Sequence, residues 1–413
     1  MQQVSTQKFR VAAGACVLTE TGRFDRFFVG FRSGIMSFKR EPKNMLNFHR
    51  RRKLFLGFLM LGALVALTLG CTPGDPQSTF DADGPVAQSQ LNLFWIILGA
   101  GAVVFVAVQG ALIYLLIKFR RQREDDIPEQ VEGNHTLEFA WTAGPTAIVI
   151  LVAIPTIFTI FDNQVSPEPG ALTVDVIGHQ WWFEFRYDHP DDPTKDVVFA
   201  GDLHIPVHEV INVNLDSVDV IHSFWIPKIA GKVDMVPNND NTMWIQSDQT
   251  GTYYGQCAEF CGVQHANMRF KVIVHTREDF DAWLRAEATP PEESQDPLVA
   301  EGKKVFRSAS AGCSGCHATD PISNDGVAGR EGPNLAHVAS RTNLAGGMFD
   351  NRDESGNVNL SILQDNLRTW ISDPESVKPG NTMASEGAAY IDPENALTEA
   401  ELSAIVAYLS SLK

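Results

Sequence analysis

The sequence predicts a multidomain membrane protein: a two-helix transmembrane hairpin, then a β-sandwich or barrel, then an all-α domain. Three observations carry that expectation. Residues 91–119 and 139–161 form two long apolar runs, the first uncharged until Lys118 and the second uncharged throughout. Six short β-branched and aromatic runs (171–178, 181–187, 197–204, 209–215, 242–247 and 269–275) follow, with turn residues between them. From residue 297 the pattern turns helical around a Cys-x-x-Cys-His motif. A chain of 413 residues has room for two to three domains.

The leading segment has a character of its own. Residues 1–70 hold 12 Lys/Arg and 3 Asp/Glu, a net +9. The whole chain carries −17, so the other 343 residues carry −26. So acidic a surface repels phosphate backbones, which argues against a nucleic-acid partner. It suits a basic protein partner, or plain solubility. Arg50-Arg51-Arg52-Lys53 precedes an apolar run from Leu54 to Gly70, and Cys71 follows. This is the layout of a secretory signal, and the run is short for a membrane span. Leu67-Thr68-Leu69-Gly70-Cys71 also resembles a bacterial lipobox, with Thr68 where Leu is usual. Cys71 is therefore the expected site of lipidation; an ordinary cleaved signal or a retained helix is the alternative. A signal begins near its own Met, so Met45 is the expected translation start, which would leave Cys16 outside the protein.

Each of the two apolar runs is long enough to cross a bilayer, and Trp95 and Trp141 suit an interfacial belt. The loop between them begins Lys118-Phe119-Arg120-Arg121-Gln122-Arg123. The positive-inside rule puts that loop in the cytoplasm and everything after residue 162 outside. The expected location is the bacterial cell membrane, multi-pass, with both later domains extracytoplasmic.

Between Pro167-Glu168-Pro169-Gly170 and the Pro- and acid-rich stretch 288–296 lies the predicted β domain, residues 165–287. It contains Cys257, Cys261, His265 and Met268 at the spacing Cys-x3-Cys-x3-His-x2-Met, with His222 upstream. Two thiolates, two imidazoles and a thioether form a soft donor set that favours copper. A blue-copper site needs one Cys; the second can bridge a second ion, so a dinuclear copper centre is the sharper expectation. A Cys257–Cys261 disulfide or a Cys2His2 zinc site would use the same residues. Zinc gives no reason for Met268, though Met can be simple core packing.

In the last domain, residues 297–413, Cys313-Ser314-Gly315-Cys316-His317 matches the attachment pattern of c-type haem, with His317 reaching the iron. A helical segment precedes it over 297–308. A closing helix over 399–412 sets Leu402, Ile405, Val406 and Leu409 at helical spacing. Met348, Met383 and His337 are the candidates for the sixth ligand. The stretch Lys378-Pro379-Gly380-Asn381-Thr382-Met383 reads as a rigid loop able to present a sulfur. A thioredoxin-like pair or half a zinc site is the alternative reading of Cys313 and Cys316, without a βαβ pattern or second Cys pair to support it.

Together the hairpin, Gly178-His179-Gln180-Trp181-Trp182 and the Cys257 loop resemble subunit II of the haem–copper oxidases. The last domain resembles class I cytochromes c, a fusion known as the caa3 type. The resemblance implies a cupredoxin-like fold for residues 165–287. It implies that His222, Cys257, Cys261, His265 and Met268 bind dinuclear copper and that Glu259 adds its backbone carbonyl. The Glu259 carboxylate would help to hold a magnesium ion shared with subunit I. Met383 matches the axial Met of haem c, and Gly332-Pro333-Asn334-Leu335 the loop after the haem histidine. Trp181 resembles the exposed aromatic at which electrons arrive from a cytochrome, and Glu138 the carboxylate at the mouth of a proton path. Ordinary packing is the bland reading of Trp181, and a favourable helix-dipole charge that of Glu138. His179, His204, His208 and His275 read as structural or solvated.

The implied function is electron input to a cytochrome c oxidase. Subunits I and III, a cytochrome c or other donor, and membrane lipid are the expected partners. Two rivals stay open: subunit II of a copper-containing nitric oxide reductase, and a membrane-tethered carrier of copper or electrons.

Overall fold

The computed structural model describes residues 74–120, 132–323 and 331–413, with Gln130 and a few residues within 55–63. Cys16, Met45, the basic cluster at 50–53, the lipobox with Cys71, and residues 121–123 lie outside the described residues.

Two long helices come first, α1 (Pro85–Lys118) and α2 (His135–Gln164). Pro85 opens α1, where a missing N–H costs nothing. Asn134 caps α2, its side-chain oxygen accepting from the amides of Thr136 and Leu137, both at 3.1 Å. At 34 residues α1 is about 51 Å long. That exceeds a hydrocarbon core of about 30 Å, so one end of it lies clear of the apolar layer. The first turn of α1 is where Val86 and Ala87 are buried. There the Asp83 amide donates to the Lys228 carbonyl at 2.7 Å, and Lys228 pairs with Asp81 at 2.7 Å. Further along, large apolar side chains such as Phe105, Leu116, Val149 and Phe158 are exposed. Ser89 and Asn163 hydrogen-bond between the helices.

Ten strands follow: β1 (Leu172–His179), β2 (Trp182–His189), β3 (Asp192–Ala200), β4 (Leu203–Pro206), β5 (Ile211–Ser217), β6 (His222–Trp225), β7 (Lys232–Met235), β8 (Asn241–Ile245), β9 (Gly251–Cys257) and β10 (Arg269–His275). They form two facing sheets. One runs β3-β2-β1-β5-β8, and the other β4-β10-β9-β6-β7. Alternation drives the packing: in β5, Ile211, Val213 and Leu215 are buried while Asn214 is exposed. Phe224 from one hairpin and Phe270 from β10 stack at 4.9 Å in the core. The predicted run 197–204 is two strands in different sheets. Gly201, at φ +128, makes the corner between them. Helix α3 (Arg277–Glu287) closes the sandwich, capped by Thr276.

The last domain is helical. It comprises α4 (Pro297–Phe306), α5 (Cys313–Cys316), β11 (Ile322–Ser323), the two-residue strands β12 (Asn343–Leu344) and β13 (Phe349–Asp350), α6 (Leu360–Ser372), α7 (Pro374–Val377), α8 (Thr382–Glu386), α9 (Ala388–Ile391) and α10 (Glu399–Ser411). Its core joins Val305, Phe306, Leu363, Leu367 and the four α10 residues expected from spacing, Leu402, Ile405, Val406 and Leu409. Helices α4 and α10 touch at Gly302, where a Cβ would run into the Ala404 carbonyl. A capping box, Thr398 with Glu401, starts α10.

The helical domain lies against the sandwich. Strand β11 pairs antiparallel with the edge strand β3, Ile322 opposite Val197, and the Val198 amide donates to the Pro321 carbonyl at 2.9 Å. Asp202, buried at the β3–β4 corner, accepts from Thr342 Oγ1 at 2.6 Å and from the Asn343 amide. The Arg341 guanidinium sits 5.1 Å from the Phe199 ring centroid.

Candidate metal centre and haem cleft

Strand pairing builds the first site. His222 opens β6 and Cys257 closes β9, with Phe224 opposite Cys257 in the register. The loop after Cys257 returns at once to β10, and the Cys257 amide donates to the Met268 carbonyl at 3.0 Å. His222, Cys257, Cys261 and Met268 are thereby buried together. The ligand atoms of His222, Cys257 and Cys261 lie within 4.8 Å of one another. Each imidazole faces a different sulfur. His222 Nδ1 is 3.9 Å from Cys257 Sγ, and His265 Nδ1 is 3.7 Å from Cys261 Sγ. Met268 Sδ is 3.9 Å from Cys261 Sγ, and the Glu259 carbonyl oxygen is 3.2 Å from Cys257 Sγ.

Both thiols are free, 3.7 Å apart, against about 2.05 Å for a disulfide. Two central sulfurs with one imidazole at each, a thioether and a carbonyl fit a soft-metal centre, and the burial of all four core donors keeps water out. Asp219 supplies the outer contact: its Oδ1 lies 2.8 Å from His222 Nε2, which turns Nδ1 toward Cys257. Burial opposes charge on His222, but Asp219 and Cys257 together raise its pKa. The hydrogen bond from Cys261 favours a Cys257 thiolate, and Cys261 is raised in exchange. Asp219 escaped the sequence reading; a carboxylate three residues before a candidate ligand His was the signal.

The second site is an apolar cleft between the helical domain and the sandwich, with an empty volume of about 1570 Å³ including its mouth. Cys313, Cys316, His317 and Met383 all line it, with Leu335, Trp370 and Tyr390 among the wall residues. Gly312, at φ +69, starts the short turn that carries the two thiols. His317 Nδ1 is 2.8 Å from the Pro333 carbonyl, which leaves Nε2 for the cleft. Burial lowers the His317 pKa, so its imidazole is neutral and able to ligate. Gly332 makes room for that ring: a Cβ there would lie 2.7 Å from His317 Nδ1. Of the three sixth-ligand candidates, Met383 is on the cleft wall, whereas Met348 and His337 are not among its lining residues. An apolar slot with paired thiols, an imidazole and a thioether fits a covalent c-type haem.

Trp181 lies between the sites. Its Nε1 donates to the Cys261 carbonyl at 2.9 Å, and Gln180 Nε2 donates to the same oxygen at 2.7 Å. Trp181 also lines the cleft. The sequence reading made it an exposed aromatic, and the structure corrects this: it is 7% exposed. The loop before Met383 covers it, so that a Cβ on Gly380 would stand 3.6 Å from the indole. Gln264 Nε2 donates to the Pro379 carbonyl at 2.9 Å in the same contact. The Lys378 amine reaches the Trp181 carbonyl at 2.8 Å and is pulled down to about pKa 7 by burial.

Family models match three successive parts of the chain. They are the cytochrome c oxidase subunit II transmembrane domain over residues 77–159, the subunit II periplasmic domain over 197–275, and cytochrome c over 299–413. Cytochrome c oxidase subunit 2 of Alkalihalophilus pseudofirmus is 36% identical over 362 residues, covering 86% of this chain and 96% of that protein. The chain belongs to the cytochrome c oxidase subunit II family. The same subunit of Bacillus sp. (strain PS3) is 36% identical over 374 residues, covering 86% and 97%. Among solved structures, the periplasmic domain of subunit II of cytochrome oxidase from Bradyrhizobium japonicum is 31% identical, with a TM-score of 0.27. It matches 29% of this chain and 95% of that one. As a family member the chain is part of an oxidase complex, with a cupredoxin-like domain and a cytochrome c domain that imply copper and haem c.

Glu138 lies in the first turn of α2, accepts from the Asn134 amide at 3.2 Å and sits 3.3 Å from His135 Nδ1. Those contacts are a helix-start role. Glu259 is half-buried, with its backbone carbonyl toward Cys257. His204 and His275 hydrogen-bond at 2.8 Å and stack with Trp283, and His179 stacks on Trp182 at 4.0 Å, all structural positions.

Proposed function

We propose that this chain is the electron-input subunit of an oxygen-reducing cytochrome c oxidase. It would take electrons from cytochrome c or another donor, through haem c and a dinuclear copper centre, toward the haem–copper site of subunit I. When bound, the haem and the copper pair supply one-electron redox chemistry. The chain's own residues do the rest. Cys313, Cys316, His317 and Met383 hold the haem; His222, Cys257, Cys261, His265, Met268 and the Glu259 carbonyl hold the copper. Asp219 orients His222. Trp181 fixes the Cys261 carbonyl from one side and walls the haem cleft from the other.

The observation that carries this reading is that one residue, Trp181, touches both sites. The reading also puts both domains on the extracytoplasmic side of a two-span anchor. It assigns the domains as 71–164, 165–287 and 297–413 with a linker at 288–296, and gives Cys71 a lipid. The Glu259 carboxylate is offered to a magnesium ion shared with subunit I. Glu138 is assigned to proton uptake at the hairpin.

The test is the electron paramagnetic resonance spectrum of the copper-loaded full chain. A hyperfine pattern from one electron shared by two equivalent copper nuclei is the expected result. A single-copper pattern, or silence with Cys257 and Cys261 joined as a disulfide, overturns the dinuclear reading and favours a tethered carrier. Co-purification with a large multi-span subunit that consumes oxygen, rather than nitric oxide, decides the acceptor.

A further inference from the structure

The geometry points to Lys378 as a positioning residue that fixes the pose of the haem domain on the copper domain. The inference rests on the proposed function, since it takes the two sites to hold haem and copper. Lys378 opens the loop that leads to Met383, and its side chain crosses out of its own domain. Nζ donates to the Trp181 carbonyl at 2.8 Å, to the Asn267 carbonyl at 3.2 Å and to the Ala345 carbonyl at 2.9 Å. Trp181 braces Cys261, and Asn267 immediately precedes Met268. Ala345 belongs to the haem domain. One amine therefore ties the backbone beside the residues that would hold copper to the loop that carries Met383, whose sulfur would ligate the haem.

Lys378 is 3% exposed, and the partners described for it are these three carbonyls. Its nitrogen meets three carbonyl acceptors, enough for every hydrogen the amine can carry. Burying such a group is costly unless its hydrogen bonds are met, so the arrangement tolerates little displacement. Gly346 confirms that the space is made for it. That residue sits at φ +69, and a Cβ there would lie 2.7 Å from Lys378 Nζ and 2.7 Å from the Trp181 carbonyl oxygen. An apolar side chain of the same length would escape the desolvation cost but leave three buried carbonyls unmet. Lys378 is thus suited to select one orientation of the domains rather than merely to hold them together.

The test uses the full chain in detergent, loaded with copper and haem, with a protease site placed within residues 288–296. After cleavage, the haem domain of the unsubstituted chain is expected to stay with the membrane-anchored half on gel filtration. Its oxidised haem should also speed relaxation of the copper paramagnetic signal. Lys378→Met is expected to weaken retention about tenfold and to lose the relaxation effect, with each centre's own spectrum unchanged. Lys378→Arg, which keeps a charged donor, should recover part of both. Gly346→Ala, which crowds the amine without removing it, should resemble Lys378→Met. Unchanged retention and relaxation in Lys378→Met, or prompt release of the haem domain from the cleaved unsubstituted chain, overturns the proposal. A missing copper-pair or haem signal in the unsubstituted chain instead overturns the functional reading, and retention then judges the clasp by itself.

Discussion

The indole Nε1 of Trp181 donates its hydrogen to the carbonyl oxygen of Cys261 across 2.9 Å. The other side of the ring is pressed by the loop at Gly380. Replacement by Phe keeps an aromatic wall but removes the donor, while Gln180 still serves the same carbonyl. Trp181→Phe is therefore expected to cost about 1 kcal/mol in stability and to slow re-oxidation of the haem by the copper site. Stopped-flow traces of the two absorbances check it. An unchanged transfer rate would reduce Trp181 to packing.

Asp219 holds His222 from behind. Losing such an outer contact commonly costs about 10–100-fold in metal affinity. Asp219→Ala, with His222 intact, is expected to show that loss in a competitive copper titration. Equal affinity in the two proteins would mean that Cys257 alone orients the imidazole.

The two candidate methionines separate cleanly by substitution. Met383 lines the cleft and Met348 does not. Met383→Ala is expected to change the haem spectrum and lower the haem potential, because a thioether ligand raises it. Met348→Leu should change neither. A perturbed spectrum from Met348→Leu would reverse the assignment.

Glu287, at the end of α3, is pushed up to about pKa 7 by burial, with Arg341 pulling the other way. A carboxyl raised above its usual value of 4.5 holds a proton in the folded chain that the unfolded chain has released. Stability from this group is complete below about pH 4.5 and falls as pH rises through about 7. The drop amounts to roughly 3 kcal/mol at most. Glu287→Gln should flatten that slope in denaturation midpoints taken from pH 4.5 to 8. A slope equal to that of the unsubstituted chain would show that other groups set it.

The candidate donors stood out in the sequence because they crowd into two short stretches. Cys257, Cys261, His265 and Met268 share one loop, and Cys313, Cys316 and His317 share one turn. His222 joined them by its residue type, while the β6–β9 register that delivers it is a long-range pairing. The apolar helices and the α10 spacing were equally plain. Strands β6 and β7 escaped because each is only four residues long, and β9 because Gly255 and Gln256 interrupt its apolar pattern. The cover over Trp181 was not legible at all. It depends on Lys378 and Gly380, far along the chain, meeting a surface that each domain's own pattern leaves unspecified.

Strand β11 gives the sandwich something besides a neighbour. Without it, the outer edge of β3 would be bare, and the Val198 amide would lose its partner, the Pro321 carbonyl. Bare edges of that kind recruit other chains and seed aggregation. The C-terminal domain thus acts as a built-in guard for the sheet. A chain shortened at the linker would lose solubility as well as its haem, even with every copper donor in place.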